Sequence, residues 1–211
     1  MSKVIADISM SLDGYVTAPG VDQEHGLGIG GEPIHAWVLE EPRSPVDEAV
    51  LARSFEQTGA VVMGRRLYDI VDGPNGWNDE VGYGHDQNQS AAPPCYVVTH
   101  ELPAKVRLVS RFRFVTDGVA AAIDQARAAA GDKDVVVMGG ANVIDQCLAA
   151  GLVDELRIHL SPLVLGGGTR LFDIAGATTL VQREVTESPR ATHLTYDVVR
   201  DQPLRQPPTV A

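Results

Sequence analysis

The sequence predicts an α/β fold in which a mainly parallel central sheet has helices on both faces and antiparallel strands at one edge. Short apolar runs alternate with helical patterns from residue 3 to residue 160, which is typical of strands joined by helices. Two alternating segments, 179–185 and 192–199, follow and predict an antiparallel pair. The length of 211 residues fits one such domain, so we expect residues 1–200 to form a single domain.

The individual elements follow from the spacing of apolar residues. Strands are expected where short apolar runs are bounded by turn residues, at 3–10, 60–63, 95–99, 111–115, 134–138 and 156–160. Helices are expected where apolar residues recur on one face, at 45–57, 119–130 and 141–150. The segments 17–34 and 72–94 predict loops, and the tail 201–211, with its three prolines, predicts a mobile end.

The helix ends are marked by capping residues. Ser44 or Asp47 is expected to cap the first long helix, because a short polar side chain satisfies free backbone N–H groups there. Gly59 is expected to close the same helix. Asp117 is expected to cap the second long helix, and Gly131 is expected to end it.

Charge and apolar patterning exclude several classes of partner. With 17 basic and 28 acidic residues the formal net charge is −11, and such a chain repels the phosphate backbone of nucleic acid. No stretch approaches the roughly 20 apolar residues of a membrane span, and the N-terminus lacks a signal-peptide pattern. We therefore expect no nucleic-acid partner, no membrane partner and a cytoplasmic location.

Cysteine and histidine give no sign of a metal site. Cys95 and Cys147 lack metal-type spacing and lie in apolar segments, so we predict buried free thiols. The histidines do not pair at helical metal spacing, and His159 and His193 fall on predicted strands. We predict that both histidines lie at the surface.

The apolar run 135–138 ends in Gly139-Gly140, and a predicted helix follows at once. Glycines allow a tight turn and a close approach by a ligand, while the free N–H groups and the dipole of the helix favour an anion. The segment is therefore a candidate site for a dinucleotide phosphate. Gly-Gly also serves as a plain strand-to-helix turn, and both interpretations stay open.

Other catalytic motifs are absent. The sequence contains no P-loop lysine motif and no nucleophile elbow. The run 166–170 lacks the lysine of a P-loop and is more typical of a loop or bulge at a subunit contact. The signature of the zinc deaminases is also missing.

Five motifs in sequence order resemble one known family. They are Ser11-Leu12-Asp13-Gly14-Tyr15, the segment 62–69, the segment 96–100, the turn 138–141, and the segment 154–162 with 165–168. In this order and spacing the chain resembles the dihydrofolate-reductase-like superfamily over about residues 3–200. It is more similar to the branch that contains the reductase domain of bacterial riboflavin biosynthesis. The resemblance implies a three-layer α/β/α fold of this kind.

The resemblance also implies an NADPH site across the strand ends. Gly64, Arg65 and Arg66 would meet the adenosine phosphates, and Thr99 and His100 would lie near the adenine ribose and its 2′-phosphate. The pyrophosphate would be held by the turn of Met138, Gly139, Gly140, Ala141, Asn142 and Val143. Arginine suits such a role because its planar fork of donors matches phosphate, although Arg65 and Arg66 could also be a solvated pair.

Two further positions decide how closely the chain follows its relatives. Leu67 stands where family members often have a threonine whose hydroxyl bonds the cofactor phosphate. The resemblance places Asp13 beside the nicotinamide and the substrate pocket, where a carboxylate could bind substrate or relay a proton. Asp13-Gly14 could equally make a turn. Trp37 and Trp77 could line the pocket or pack in the core.

Three functions remain open at this point. The first is an NADPH-dependent reductase that passes hydride to a C=N or C=O bond of a small heterocycle of pyrimidine or pteridine type. The second is a binding module for a nucleotide, flavin or folate-like ligand. The third is the 5-amino-6-(5-phosphoribosylamino)uracil reductase, ranked lower because no basic cluster suggests a second phosphate site. The resemblance also implies a homodimer formed near residues 163–172.

Overall fold

The computed structural model describes residues 2–199, so the predicted mobile tail 201–211 lies outside the described residues. The strands are β1 (Val4–Ser11), β2 (Tyr15–Thr17), β3 (Thr58–Gly64), β4 (Cys95–Val98), β5 (Phe112–Val115), β6 (Asp134–Gly139), β7 (Glu155–Ser161), β8 (Thr169–Arg170), β9 (Thr179–Glu187) and β10 (Thr192–Val199). The helices are α1 (Ala36–Leu39), α2 (Pro45–Gln57), α3 (Arg65–Val71), α4 (Gly118–Ala130) and α5 (Ala141–Ala149), with 3-10 turns at Glu32–His35 and Gln89–Ala91.

Eight strands form one twisted sheet in the order β5-β4-β3-β6-β1-β7-β10-β9. The pairs from β5 to β7 are all parallel, whereas β10 is antiparallel to both β7 and β9. The short strands β2 and β8 form a separate antiparallel pair. The predicted fold class is therefore confirmed, including the antiparallel strands at one edge.

Alternate residues of the buried strands supply two apolar layers, one on each face of the sheet. Val62 and Val137 pack with Ile123 of α4 and Ile144 of α5. Their neighbours along the strands, such as Val61, face the opposite layer, which contains Tyr68 and Val71 of α3. This near-continuous apolar sequence is what burial on both faces requires.

The capping predictions had mixed outcomes. The Ser44 side chain accepts a hydrogen bond from the backbone N–H of Asp47 at 3.1 Å, as predicted. Gly59 does not close α2, because Thr58 is already extended and begins β3. Asp117 precedes α4 but makes no capping hydrogen bond, whereas Gly131 ends the helix with φ +61°.

The predicted burial is confirmed for the two cysteines and is wrong for two histidines. Cys95 and Cys147 are buried free thiols, as predicted. The prediction that His159 and His193 lie at the surface is wrong, since their exposed fractions are 5% and 6%. Their face of the sheet is covered by Trp37 and α2, a long-range contact that strand periodicity does not report.

Residues 2–199 contain neither a helix of the membrane-spanning type nor a cluster of metal-binding side chains. No helix in this range is long and apolar enough to cross a membrane. The same range contains no group of three or more His, Cys, Asp or Glu side chains arranged to hold a metal ion.

We expect the substitution Gly59→Ala to destabilise the fold by about 1–3 kcal/mol, the usual cost of overpacking a rigid site. A Cβ atom at this position would lie 2.5 Å from the carbonyl oxygen of Ala130 at the end of α4. Gly167→Ala is the matched control, because its Cβ would meet only Pro19 at an ordinary 3.5 Å. Urea unfolding of both variants measures the difference, and equal stabilities would contradict the packing argument.

Candidate active site

The ends of the parallel strands form one polar edge of the sheet. Strands β1, β3, β4, β6 and β7 run in the same direction, so their carboxyl ends lie together. The residues predicted to bind the cofactor or substrate follow these ends: Asp13 after β1, Gly64, Arg65 and Arg66 after β3, Thr99 and His100 after β4, and Met138, Gly139, Gly140, Ala141, Asn142 and Val143 at the end of β6 and the start of α5. The structure therefore brings the predicted residues to the same edge.

The chain leaves β3 and β6 in opposite directions, although these strands are neighbours. After β3 it continues through α3 to β4, whereas after β6 it continues through α5 to β7 on the other side of β1. The two helices pack on opposite faces of the sheet. A reversal of this kind creates a crevice outside the strand ends, the usual ligand position in open α/β sheets.

Strands β1 and β6 separate towards the same edge. Their pairing begins at Val4 and Val135 and extends only to Ala6 and Val137. Strand β1 remains paired with β7 as far as Ser11. At the carboxyl end of β6, only the last two residues, Met138 and Gly139, are therefore not paired with β1.

The turn between β6 and α5 requires glycine. Gly139 has φ +129°, a conformation that other residues rarely adopt, and the peptide bond between Gly139 and Gly140 is cis. A Cβ atom at Gly64 would lie 2.9 Å from Cγ2 of Val143, so β3 and α5 approach closely only because position 64 has no side chain. A Cβ atom at Gly140 would meet nothing within 4 Å, which leaves open space above this turn.

The first turn of α5 offers backbone donors to a ligand. No side chain caps this helix at Gly140, and the N–H groups of Ala141 and Asn142 are too early in the helix to have an intrahelical acceptor. The Asn142 side chain is turned to Gln146, whose amide donates to it at 2.7 Å. Free N–H groups at the positive end of a helix dipole favour an anion.

The two arginines after β3 have different surroundings. Arg65 donates from Nε to Asp69 at 2.8 Å and from Nη1 to the Glu101 carbonyl at 2.8 Å and the Thr99 hydroxyl at 3.2 Å. Arg65 therefore connects α3 to the turn after β4. Its Nε and Nη1 groups already donate to protein acceptors and are not free to bind a phosphate. Arg66 is exposed, and its side chain makes no hydrogen bond or ion pair with any residue between 2 and 199.

The turn after β4 is partly closed on itself. Thr99 is buried and its hydroxyl donates to the carbonyl oxygen of Glu101 at 2.7 Å. His100 is exposed beside it. The sequence analysis missed the role of Asp69, although a spacing of four residues from Arg65 is the usual pattern for an ion pair on a helix.

Asp13 is held by three donors. Its carboxylate accepts from the Ser11 hydroxyl at 2.6 Å and from the backbone N–H groups of Leu165 and Gly166 at 3.1 and 2.7 Å. The Ser11 hydrogen bond, with the two backbone donors, lowers the pKa of Asp13 to about 2. The carboxylate is thus ionised at neutral pH and joins the turn after β1 to the segment after β7. This geometry favours positioning over proton relay.

The residues around Asp13 form a small structure that the sequence did not predict. The run 166–170, expected to be a loop or bulge, contains β8, which pairs with β2. The Arg170 guanidinium lies 4.7 Å from the centre of the Tyr15 ring. Strands of two and three residues give too little alternation to be recognised.

Leu67, Trp37 and Trp77 pack against other side chains of the core. Leu67 belongs to the α3 layer, and its Cδ2 would lie 3.6 Å from a Cβ at Gly139. Trp37 is buried and donates from Nε1 to the Ser9 hydroxyl at 2.9 Å. Trp77 stacks on Phe112 with 6.2 Å between the ring centres.

Comparison with known proteins assigns this architecture to a family. The model of the RibD C-terminal domain matches residues 2–194. The Bacillus subtilis protein YyaP is 23% identical over 176 residues, which cover 81% of this chain and 80% of YyaP.

Solved structures show the same fold at low identity. A protein from Shewanella sp. PV-4 named for riboflavin biosynthesis superposes with a TM-score of 0.65 at 20% identity, covering 94% of this chain and 99% of its own. A pyrimidine reductase-like protein from Corynebacterium diphtheriae superposes with a TM-score of 0.61 at 19% identity. The superposition covers 95% of this chain and 93% of that protein. A deaminase/reductase from Thermotoga maritima gives 0.58 at 14% identity, covering 94% of this chain but only 57% of its own.

We expect Gly64→Ala to destabilise the protein by about 1–3 kcal/mol, because the added methyl group would press on Val143. The double variant Gly64→Ala with Val143→Ala removes the clashing atom and is expected to show a favourable coupling of about 0.5–3 kcal/mol. Urea unfolding of the wild type, the two single variants and the double variant measures this coupling. Additive effects would contradict the contact between β3 and α5.

Proposed function

This chain belongs to the RibD C-terminal domain family, and we propose that it is an NADPH-dependent reductase of a small heterocyclic substrate. The reduced bond would be a C=N or C=O bond of a pyrimidine- or pteridine-like ring. Family membership supports the oxidoreductase class. The finer assignment depends on whether the residues at the carboxyl edge suit a nicotinamide dinucleotide.

The observation that supports this proposal most is the uncapped start of α5 beside the Gly139-Gly140 turn. Its backbone N–H groups have no helical acceptor, and the space above Gly140 is open. The crevice between β3 and β6 gives a dinucleotide room to cross from one helix N-terminus towards the other. These features fit a pyrophosphate, and the residues that would hold it are Gly139, Gly140, Ala141 and Asn142, with Met138 and Val143 shaping the turn.

The adenosine end of the cofactor would lie over α3 and the turn after β4. We assign the 2′-phosphate to Arg66 rather than Arg65, because Arg66 is free whereas Arg65 is held by Asp69, Thr99 and Glu101. Arg65 would then shape the wall of the site, with Gly64, Thr99 and His100 around it. The absence of a hydroxyl at Leu67 removes one phosphate donor and leaves more of the binding to backbone N–H groups.

The chemical role of the chain itself is positioning. NADPH supplies the hydride when it is bound. Asp13 would hold the segment 163–166 against the turn after β1 and so shape the substrate end of the site. Since a pKa of about 2 keeps Asp13 ionised at neutral pH, the proton for the reduced bond would come from water.

Two other functions have specific support. The absence of a hydroxyl at Leu67 and the occupied carboxylate of Asp13 favour a module that binds a nucleotide, flavin or folate-like ligand without turnover. Family membership favours the 5-amino-6-(5-phosphoribosylamino)uracil reductase. The phosphate of its substrate would need a cation near the substrate end, and Arg170 lies there beside Gly14 and Tyr15.

We also propose a homodimer and a cytoplasmic location. Exposed apolar side chains near residues 163–174 support a subunit contact, namely Leu12, Val164, Phe172 and Ile174. Cys95 and Cys147 are free thiols, as is usual in a reducing compartment.

We expect wild-type protein to bind NADPH more tightly than NADH, as measured by titration of nicotinamide fluorescence. Arg66→Ala should weaken NADPH binding about tenfold or more, since a hydrogen bond between charged groups contributes about 1.5–3 kcal/mol. NADH binding should change little. Arg183→Ala, which removes an exposed arginine paired with Asp197 on the edge strand pair, is the matched control.

The outcomes separate the candidate functions. Failure to bind either cofactor would reject the reductase, and equal binding by Arg66→Ala and Arg183→Ala would reject the role of Arg66. NADPH binding without oxidation, tested with a ribosylaminopyrimidine phosphate and with a pteridine, would favour the binding module. For a reductase, the pH dependence of turnover near neutrality should be the same in Asp13→Asn, because Asp13 does not titrate there.

A further inference from the structure

A row of four ionisable side chains, three of them buried and one, Asp7, partly exposed, crosses the face of the sheet under α2. Asp7 of β1 lies 2.9 Å from Nε2 of His159 on β7, and Nδ1 of His159 lies 2.7 Å from Nδ1 of His193 on β10. Nε2 of His193 lies 2.9 Å from Asp47 of α2, which has no exposed surface. None of these residues belongs to the proposed cofactor site, so the row has no role in the function proposed above.

The contacts fix the number of protons in the row. Three hydrogen bonds connect Asp7, His159, His193 and Asp47, and each needs one proton. Two neutral imidazoles supply only two protons. If both pointed their N–H groups at the carboxylates, their Nδ1 lone pairs would face each other at 2.7 Å. The row therefore holds one additional proton and a net charge of −1.

The surroundings place the additional proton on the imidazoles. Contact with His159 lowers the pKa of Asp7 against the opposing effect of burial, and hydrogen bonds lower the pKa of Asp47, so both carboxylates are ionised. The Trp37 ring lies 4.3 Å from the His159 ring and 5.0 Å from the His193 ring, and an aromatic face attracts a cation. Burial, together with the charge of His159, lowers the pKa of His193, which opposes a second proton.

The other charged groups around the row leave this proton count unchanged. Arg157 of β7 is close enough to lower the pKa of Asp7, and it is paired with Glu155 at 2.7 Å. On the outer side, Arg53 of α2 and Glu184 of β9 pair at 3.5 Å. A cavity of about 20 Å³, large enough for one water molecule, lies between this pair and the histidines.

Two neutral groups complete the surroundings. Burial lowers the pKa of His35 to about 4, so this ring is uncharged at neutral pH. Burial also raises the pKa of the Tyr83 phenol, which keeps it protonated. Neither group competes with the His159–His193 pair for a proton near neutrality.

The row joins residues 32–57 to the sheet. Asp47 reaches His193 from α2, Trp37 donates to Ser9 of β1, and Ser161 of β7 donates to the Ile34 carbonyl at 2.6 Å. Of these connections, only the row contains groups that gain or lose protons near neutral pH when the chain unfolds. We propose that His159 and His193 share a single proton, and that this shared proton is a pH-sensitive latch that fastens residues 32–57 to the sheet.

The sign of the pH dependence follows from proton counting. Unfolded histidines titrate near their ordinary pKa of 6.5. Well below this pH the unfolded pair binds two additional protons and the folded pair only one, so stability falls as the pH falls. Well above it the unfolded pair binds none and the folded pair still one, so stability also falls as the pH rises. The contribution of the latch is therefore greatest near pH 6.5.

The first test counts the protons directly in the wild-type protein. Nitrogen-15 labelled histidine is observed by NMR at neutral pH, with His159 and His193 assigned. We expect three of the four ring nitrogens to be protonated, with one strongly deshielded proton between the rings. Two protonated nitrogens, or four, would overturn the proposal without any need for a variant.

The second test measures how the contribution of the latch to stability changes with pH. His193→Gln keeps an amide donor for Asp47 but cannot hold the additional proton. Above pH 6.5 the unfolding equilibrium constant of the wild type should rise up to about tenfold more per pH unit than that of His193→Gln, the limit for one proton, whereas below pH 6.5 the two slopes should match. His25→Gln, which removes a partly exposed histidine that contacts Asp22 in the loop 17–34 and lies outside the row, should keep the decline of wild-type stability above pH 6.5. Parallel profiles for wild type and His193→Gln would overturn the latch.

A third measurement locates the effect in the fold. Hydrogen-exchange protection factors of the wild type at acidic pH are compared with those at pH 6.5. Residues 32–57 should lose protection before the strands of the sheet do. Uniform loss over the described chain would overturn the assignment of the latch to this segment.

Discussion

The close approach of β3 and α5 is the constraint on which the candidate site depends. It requires a bare Cα at Gly64 and the positive φ of Gly139. These two features bring the ends of β3 and β6 together, so α3 and α5 start at the same crevice from opposite faces of the sheet. A side chain at position 64 would press on Val143 in the first turn of α5. The backbone donors of α5 would then shift relative to β3 and Arg66.

Much of this arrangement could be predicted from the sequence, because it depends on local signals. Apolar runs predicted the buried strands, and Gly139-Gly140 predicted the turn before α5. The family resemblance carried by the order of the motifs implied a site across the strand ends, and parallel strands do place their carboxyl ends at one edge. The position of the site therefore followed from short segments and their order.

The remaining features depend on contacts between distant parts of the chain. The burial of His159 and His193 arises from Asp47 and Trp37, which lie more than a hundred residues away in the sequence. The sequence did not distinguish a functional role of Asp13 from that of a plain turn residue, because its donors at Leu165 and Gly166 lie far away in the chain. The same holds for Arg65, whose partner Glu101 lies beyond β4. Periodicity does not identify such partners.

The position of β1 has a consequence for how the chain is made. This strand precedes the other strands of the sheet in the sequence, yet it pairs with β6 through Val4 and Val135 and with β7 through Ile5 and Glu155. Strand β1 therefore has no partner in the sheet until residues 135–161 have left the ribosome. Non-local pairing of this kind is slow, and unpaired apolar strands promote aggregation. Until β6 and β7 have been synthesised, the apolar side chains of β1 consequently have no sheet to pack in.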